Sequence, residues 1–128
     1  MNIRVRSIYL SIKEILTSAR KKAYKAVNFA MVEAYWNVGK LIVEAQEGNE
    51  RAEYGDYLIK NLSKELTREF GKGFTITNLK YMRQFYLAFS IGHTLCDQLS
   101  WSHYRLLSKI DDEDIRRFYV GECVEGNW

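Results

Sequence analysis

The sequence predicts an all-α protein: one long N-terminal helix, or two nearly collinear ones, packed on a helix-turn-helix-like core, with two further C-terminal helices and no sheet. Three observations carry this. Proline is absent from all 128 residues, where average usage of about 5% would supply several, and helix interiors reject proline. Apolar residues recur at steps of three and four, the helical period, over most of the chain. No segment alternates with the period of two that marks a half-buried strand.

The first helix is expected from about Ser7 to Glu47. Ile8, Ile12, Ile15, Ala19, Ala23, Ala26, Ala30, Ala34, Val38, Leu41 and Ala45 form one stripe. From Tyr24 a second row joins it (Tyr24, Val27, Met31, Tyr35, Val38, Ile42), so the second half has the wider apolar face and is expected to be buried. Gly39 weakens this helix without ending it, and Glu47-Gly48-Asn49 is its stop signal. After a polar loop, Asp56 is placed as the cap of a helix to about Phe70 with Leu58, Ile59, Leu62 and Leu66 inward. Gly71 and Gly73 supply the turn, because glycine tolerates positive φ. Thr75 caps the next helix, to about Phe89, and a loop follows from about Ser90 to Leu99. Ser100 caps a short helix carrying Trp101, Tyr104, Leu106 and Leu107. Asp111 is placed as the cap of the last helix, which runs through Glu113, Ile115, Phe118 and Tyr119, with Asp114 at the capping-box position.

Length and composition fit one domain over residues 1–128, large enough for a core without disulfides or metal. Hydrophobic content of 47% with 27% charged residues excludes a disordered chain. Cys96 and Cys123 show neither metal-ligand spacing nor a disulfide framework, which suits a reduced, intracellular setting. The apolar run Ala26 to Val32 is far short of the roughly 20 residues that span a bilayer. Lys13 and Glu14 interrupt any export signal. A cytoplasmic protein with no membrane partner is expected. The net charge of +3 conceals a gradient: residues 1–25 hold seven basic and one acidic residue, residues 60–83 six and two, residues 111–128 two and six. Basic clusters attract phosphates, although solvated helix faces account equally well for the N-terminal block.

The segment from Tyr54 to Phe89 is the most informative. Two amphipathic helices joined by Gly-Lys-Gly have the outline of a helix-turn-helix, which sets a short helix into the major groove of DNA. At about 100° per residue, Leu79, Met82, Phe85, Tyr86 and Phe89 face inward and Thr77, Lys80, Tyr81 and Gln84 outward, with Arg83 on the flank. Thr77, Lys80, Tyr81 and Gln84 are the expected base-edge residues. Lys72, Arg83 and Arg68 are expected near phosphates, which position a protein without reading sequence. Asn78 is expected to bond nearby backbone. Leu87 and Ala88 also lie toward the outer side, a pattern that equally suits a helix facing a protein partner. Those outward side chains are expected on an open, convex surface.

Catalytic signals are weak. His103 stands between Ser102 and Tyr104 and three residues from Ser100, but sequence neighbours on a helix point to different faces, and no nucleophile turn surrounds them. A structural hydrogen bond is the expected role. The acids Asp111 to Asp114 are explained by a helix start, where carboxylates favour the helix dipole. No zinc, calcium or phosphate-loop motif occurs, so no metal, cofactor or catalytic residue is assigned.

Several fragments together carry a family resemblance: the Asn28 region followed by AYWNVGKLI, then EYGDYLIKNLSKEL, FGKGFTITNLKYMRQFY, LSWSHYRLLSKI and RRFYVGECVEGNW. In order and spacing the chain resembles the N-terminal domain of the YhcG-like proteins, predicted PD-(D/E)XK nucleases of bacteria. The resemblance implies a helical, DNA-binding module serving a C-terminal nuclease domain. That domain carries the paired acids and lysine that bind magnesium; this sequence holds no such motif, so the nuclease domain is expected to lie outside it. The expected partners are duplex DNA and that nuclease domain. The alternative is a protein-interaction or dimerisation module acting through the long N-terminal helix, whose Ile8, Ile12 and Ile15 extend ahead of the broad apolar face.

Overall fold

The computed structural model describes residues 2–47, 52–90, 95–96 and 98–126, and among these there are five helices and no strand. They are α1 (Ile3–Glu47), α2 (Ala52–Phe70), α3 (Ile76–Ala88), α4 (Trp101–Leu107) and α5 (Glu113–Gly126). The all-α expectation holds. The N-terminal element is one uninterrupted helix of 45 residues, about 67 Å long at 1.5 Å per residue. It starts at Ile3, ahead of the expected Ser7, because the Asn2 carboxamide oxygen accepts the Val5 amide at 2.8 Å and caps the first turn.

Helix α3 is the hub. Its apolar face supplies Leu79, Met82 and Phe85, all essentially excluded from solvent. Met82 and Leu79 join Ile42 of α1 and Ile59 of α2 in one cluster. Phe85 joins Val32 of α1, Leu99, Tyr104 and Leu107 of the α4 region and Cys123 of α5 in the other. Trp101 packs against both. The second half of α1 is therefore the buried half, through Val32, Gly39, Ile42 and Val43. A Cβ at Gly39 would overlap the Met82 carbonyl oxygen and stand 2.7 Å from its carbon. The glycine that weakens the helix is what lets α1 and α3 touch backbone to backbone.

A polar bond at the far end of α3 helps pin this crossing. The Trp36 indole N–H donates to the Phe89 carbonyl at 2.6 Å, at the C-cap of α3, and its ring meets Tyr86 edge-on. Trp36→Phe removes the donor and part of the ring packing. The expected loss is about 1–2 kcal/mol of stability, the cost of leaving a half-buried acceptor unpaired, read from urea midpoints at unchanged slope.

Local signals account for most helix ends. Gly71 and Gly73 take φ of 78° and 111°. The Thr75 hydroxyl accepts the Asn78 amide at 3.1 Å, and the Asn78 side chain donates to the Gly73 carbonyl at 3.2 Å. Ser100 caps α4, with His103 closing the capping box: the Ser100 amide donates to His103 Nδ1 at 3.1 Å.

Two caps differ from expectation. Asp56 lies inside α2, which begins at Ala52, so its carboxylate cannot reach the first-turn amides. Gly55, which reads as loop, instead lies beneath α1: a Cβ there would stand 2.9 Å from Gln46 Nε2. The last helix is capped by Asp112, whose Oδ1 accepts the Ile115 amide at 3.0 Å, not by Asp111. That shift of one residue removes Asp114 from the capping-box position. Gly48 and Asn49, and residues 91–94 and 97 of the expected loop from Ser90 to Leu99, lie outside the described residues.

Candidate functional site

Turning Leu79, Met82 and Phe85 into the core leaves Lys80, Tyr81, Arg83 and Gln84 on the other side of α3. These four line an open cleft of about 1000 Å³. One wall comes from the C-terminal end of α1 (Val43, Gln46, Glu47) and the adjoining turn of α2 (Gly55, Asp56, Ile59), the other from Ser108, Asp111 and Arg116. The face expected to be convex is thus the floor of a concave surface, with Lys80 exposed and Tyr81, Arg83 and Gln84 half-buried. It is not sealed beneath α1, which crosses α3 on the Met82 and Tyr86 side.

The cleft is electrically mixed. Lys80, Arg83 and Arg116 are matched by Glu47, Asp56 and Asp111, and two of its cations are engaged. Arg83 donates to the Gln46 side chain, tying α3 to α1. Arg116 donates to the carbonyls of Ile110, Ala88 and Asp111, clasping the start of α5 to the end of α3. A polyanion laid into the cleft would meet carboxylates as well as cations.

Beside it stands a more coherent group. The Tyr81 ring has the Arg105 guanidinium 5.4 Å from its centroid and the Lys109 ammonium 5.1 Å away, both within cation–π range. Two cations thus flank one aromatic ring; Lys80 is the preceding residue of α3, and Lys80 and Lys109 are exposed. Helical periodicity along α3 did not single out Arg105 and Lys109. Their separation of four residues was the available signal, since it places both on one side of a helical path. That this side turns toward Tyr81 depends on how α4 packs.

The other candidates are not gathered here. Thr77 and Lys72 are exposed near the N-terminal end of α3, outside the cleft lining, and Arg68 is ion-paired with Glu65 on the exposed surface of α2. His103 Nδ1 faces the Ser100 hydroxyl at 3.0 Å as part of the α4 cap, an arrangement that stabilises a helix end. Among the described residues no group of three or more His, Cys, Asp or Glu side chains is placed to hold a metal ion. No described helix is long and apolar enough to cross a membrane.

Fold and surface together define a small all-helical module whose distinctive features are an open cleft, a tyrosine flanked by two cations and an overhanging helix. The chain belongs to the family described as the DUF1016 N-terminal domain, which matches residues 11–128. It is 42% identical over 97 residues to "Putative nuclease YhcG" of Escherichia coli (strain K12), an alignment covering 73% of this chain and 26% of that protein. The chain therefore spans about a quarter of the length of that curated relative. No solved structure matches. The resemblance to an N-terminal domain of YhcG-like proteins is borne out.

Proposed function

We propose that this module holds duplex DNA for a nuclease, with the Lys80–Tyr81–Arg105–Lys109 group as the centre of the contact. The observation that carries this reading is the convergence of Arg105 and Lys109 on the Tyr81 ring at the outer face of α3, beside the exposed Lys80. Arginine and lysine beside an aromatic ring suit a phosphate backbone, and the mixed charge of the neighbouring cleft argues that the strand runs along its rim. Thr77 and Gln84 are the candidates for base-edge contact, while Lys72, Arg83 and Arg68 extend the basic surface.

Binding to duplex DNA should fall steeply with salt, as counterion release requires. The double variant Lys80→Glu/Lys109→Glu changes two exposed side chains that make no hydrogen bond to the core. It should reduce the slope of log affinity against log salt by about two, roughly one for each phosphate left without its cation. Fluorescence anisotropy across a salt series measures this. An unchanged slope and affinity would remove this surface from the interface.

A second reading is favoured by a separate observation. The first two-thirds of α1 overhangs the body with its apolar side chains exposed, among them Ile8 at 55%, Ile15 at 66% and Val27 at 60%. An exposed apolar stripe of this length marks an interaction surface, which supports an assembly role for the arm.

A further inference from the structure

The arm of α1, residues 3–31, has a defined face. At about 100° per residue, Val5, Ile8, Ile12, Ile15, Leu16 and Val27 fall within one half of the helix, with Ala19, Ala23, Ala26 and Ala30 continuing the same stripe. Basic residues border it on both edges, Arg4 and Lys22 on one, Lys13 and Arg20 on the other. The arm holds seven basic residues and one acid, Glu14. The large apolar members of the stripe are all at least half exposed.

A second unpartnered face of opposite charge exists on the same chain. Helix α5 turns Val120, Cys123 and Val124 toward the core and leaves Ile115, Phe118 and Tyr119 outside, with Phe118 62% exposed. The Phe118 and Tyr119 rings meet edge-on at 5.4 Å, forming an aromatic platform. Glu122 stands within this outer face and Asp114 and Glu125 along its border, Asp114 and Glu122 about one helical turn from Phe118 and Glu125 about one turn beyond Glu122. The two faces cannot meet within one molecule as folded, because α1 is continuous and carries the exposed arm away from the body.

Resting on the assembly reading of α1, we infer that the arm of one copy docks on the outer face of α5 of a second copy, and reciprocally. The aliphatic stripe covers Ile115, Phe118 and Tyr119, and the bordering lysines and arginines meet Asp114, Glu122 and Glu125. Self-pairing of two arms is the less favourable arrangement, because it sets seven basic residues against seven others. Reciprocal exchange closes as a two-fold dimer. Each α5 of 14 residues spans about 21 Å. A single docked arm is therefore a modest interface, and the symmetric pair doubles it toward the roughly 800 Å² per partner typical of stable association.

The experiment uses the full 128-residue chain in sedimentation velocity over a concentration series. The parent chain should dimerise. Ile12→Glu in the arm and Phe118→Glu on α5 should each raise the dimer dissociation constant by about thirtyfold or more, the weight of a hot-spot side chain. Both sites are exposed in the single chain, so unchanged circular dichroism and melting confirm that each variant folds. A charge exchange then separates the pairings. The chain with Arg20→Glu/Lys22→Glu and the chain with Glu122→Lys/Glu125→Lys should each associate poorly alone and recover a mixed dimer when combined. A parent chain that stays monomeric overturns the assembly reading and this docking with it. A dimer lost in Ile12→Glu but kept in Phe118→Glu overturns only the α5 docking, as does unimpaired self-association of the Glu122→Lys/Glu125→Lys chain.

Discussion

Phe85→Ala is expected to lower stability by about 4 kcal/mol, within the usual span for truncating a buried aromatic ring. Phe85 is fully buried. Its ring lies 4.9 Å from that of Tyr104, 5.4 Å from that of Trp101 and 5.6 Å from that of Phe89. Truncation removes the one buried side chain that α3 contributes to the cluster shared with α4 and α5. The surrounding rings are too large to close the void by small shifts, so the cavity cost adds to the lost burial. The consequence extends beyond the core. The Tyr104 hydroxyl, fixed by this stacking, accepts the Cys96 amide at 2.7 Å and donates to the Cys96 carbonyl at 3.3 Å. Loosening Tyr104 frees that turn, and with it the placement of α4 and of Arg105 beside Tyr81. Chemical denaturation followed by circular dichroism gives the stability change. Leu106→Ala, at an exposed position on α4, is the matched control and should stay within about 0.5 kcal/mol of the parent.

Gly39→Ala is expected to cost about 3 kcal/mol, at the upper end of overpacking effects, although alanine is the better helix former by about 1 kcal/mol. The sign is decided by space. The added methyl would enter the Met82 carbonyl and stand 3.1 Å from Tyr86 Cβ. The nearest obstacle is backbone, which cannot swing aside as a side-chain tip can. Relief requires α1 and α3 to separate, and that separation loosens Ile42 against Met82 and strains the Trp36 bond to Phe89. At roughly 4 °C per kcal/mol for a domain of this size, the melting temperature should fall by about 12 °C. A melting temperature equal to or above that of the parent would show that the two helices do not cross at this glycine. The substitution leaves the charged surface untouched, so DNA affinity measured well below the melting transition reports separately on the proposed interface.

Much of the architecture was legible in the residues because short-range rules govern it. The stripe along α1, Thr75 before α3, Ser100 before α4 and the positive-φ pair Gly71 and Gly73 each express an interaction within one or two helical turns. The misplaced caps show where such rules run out. Asp56 and Asp111 are sound cap residues by type, but Gly55 fits beneath Gln46, allowing α2 to begin earlier, and Asp112 caps α5 in place of its neighbour. Gly39 was readable as a weak point, while its purpose became visible only with Met82 lying across it. The candidate site divides the same way. Lys80, Tyr81 and Gln84 were placed on the outer side of α3 by helical period alone. The concavity around them, and the arrival of Arg105 and Lys109 at Tyr81, follow from packing between segments more than twenty residues apart in the chain.

The crossing at Gly39 also sets a mechanical ratio. From that point to Ile3 the rod extends about 54 Å, so tilting it by about 10° would sweep its tip through some 9 Å. Such a swing would displace the packed side chains at the fulcrum far less. A load applied at the far end would therefore reach the α3 surface as torque, letting one rigid spoke report an event at its tip to the face that carries Tyr81.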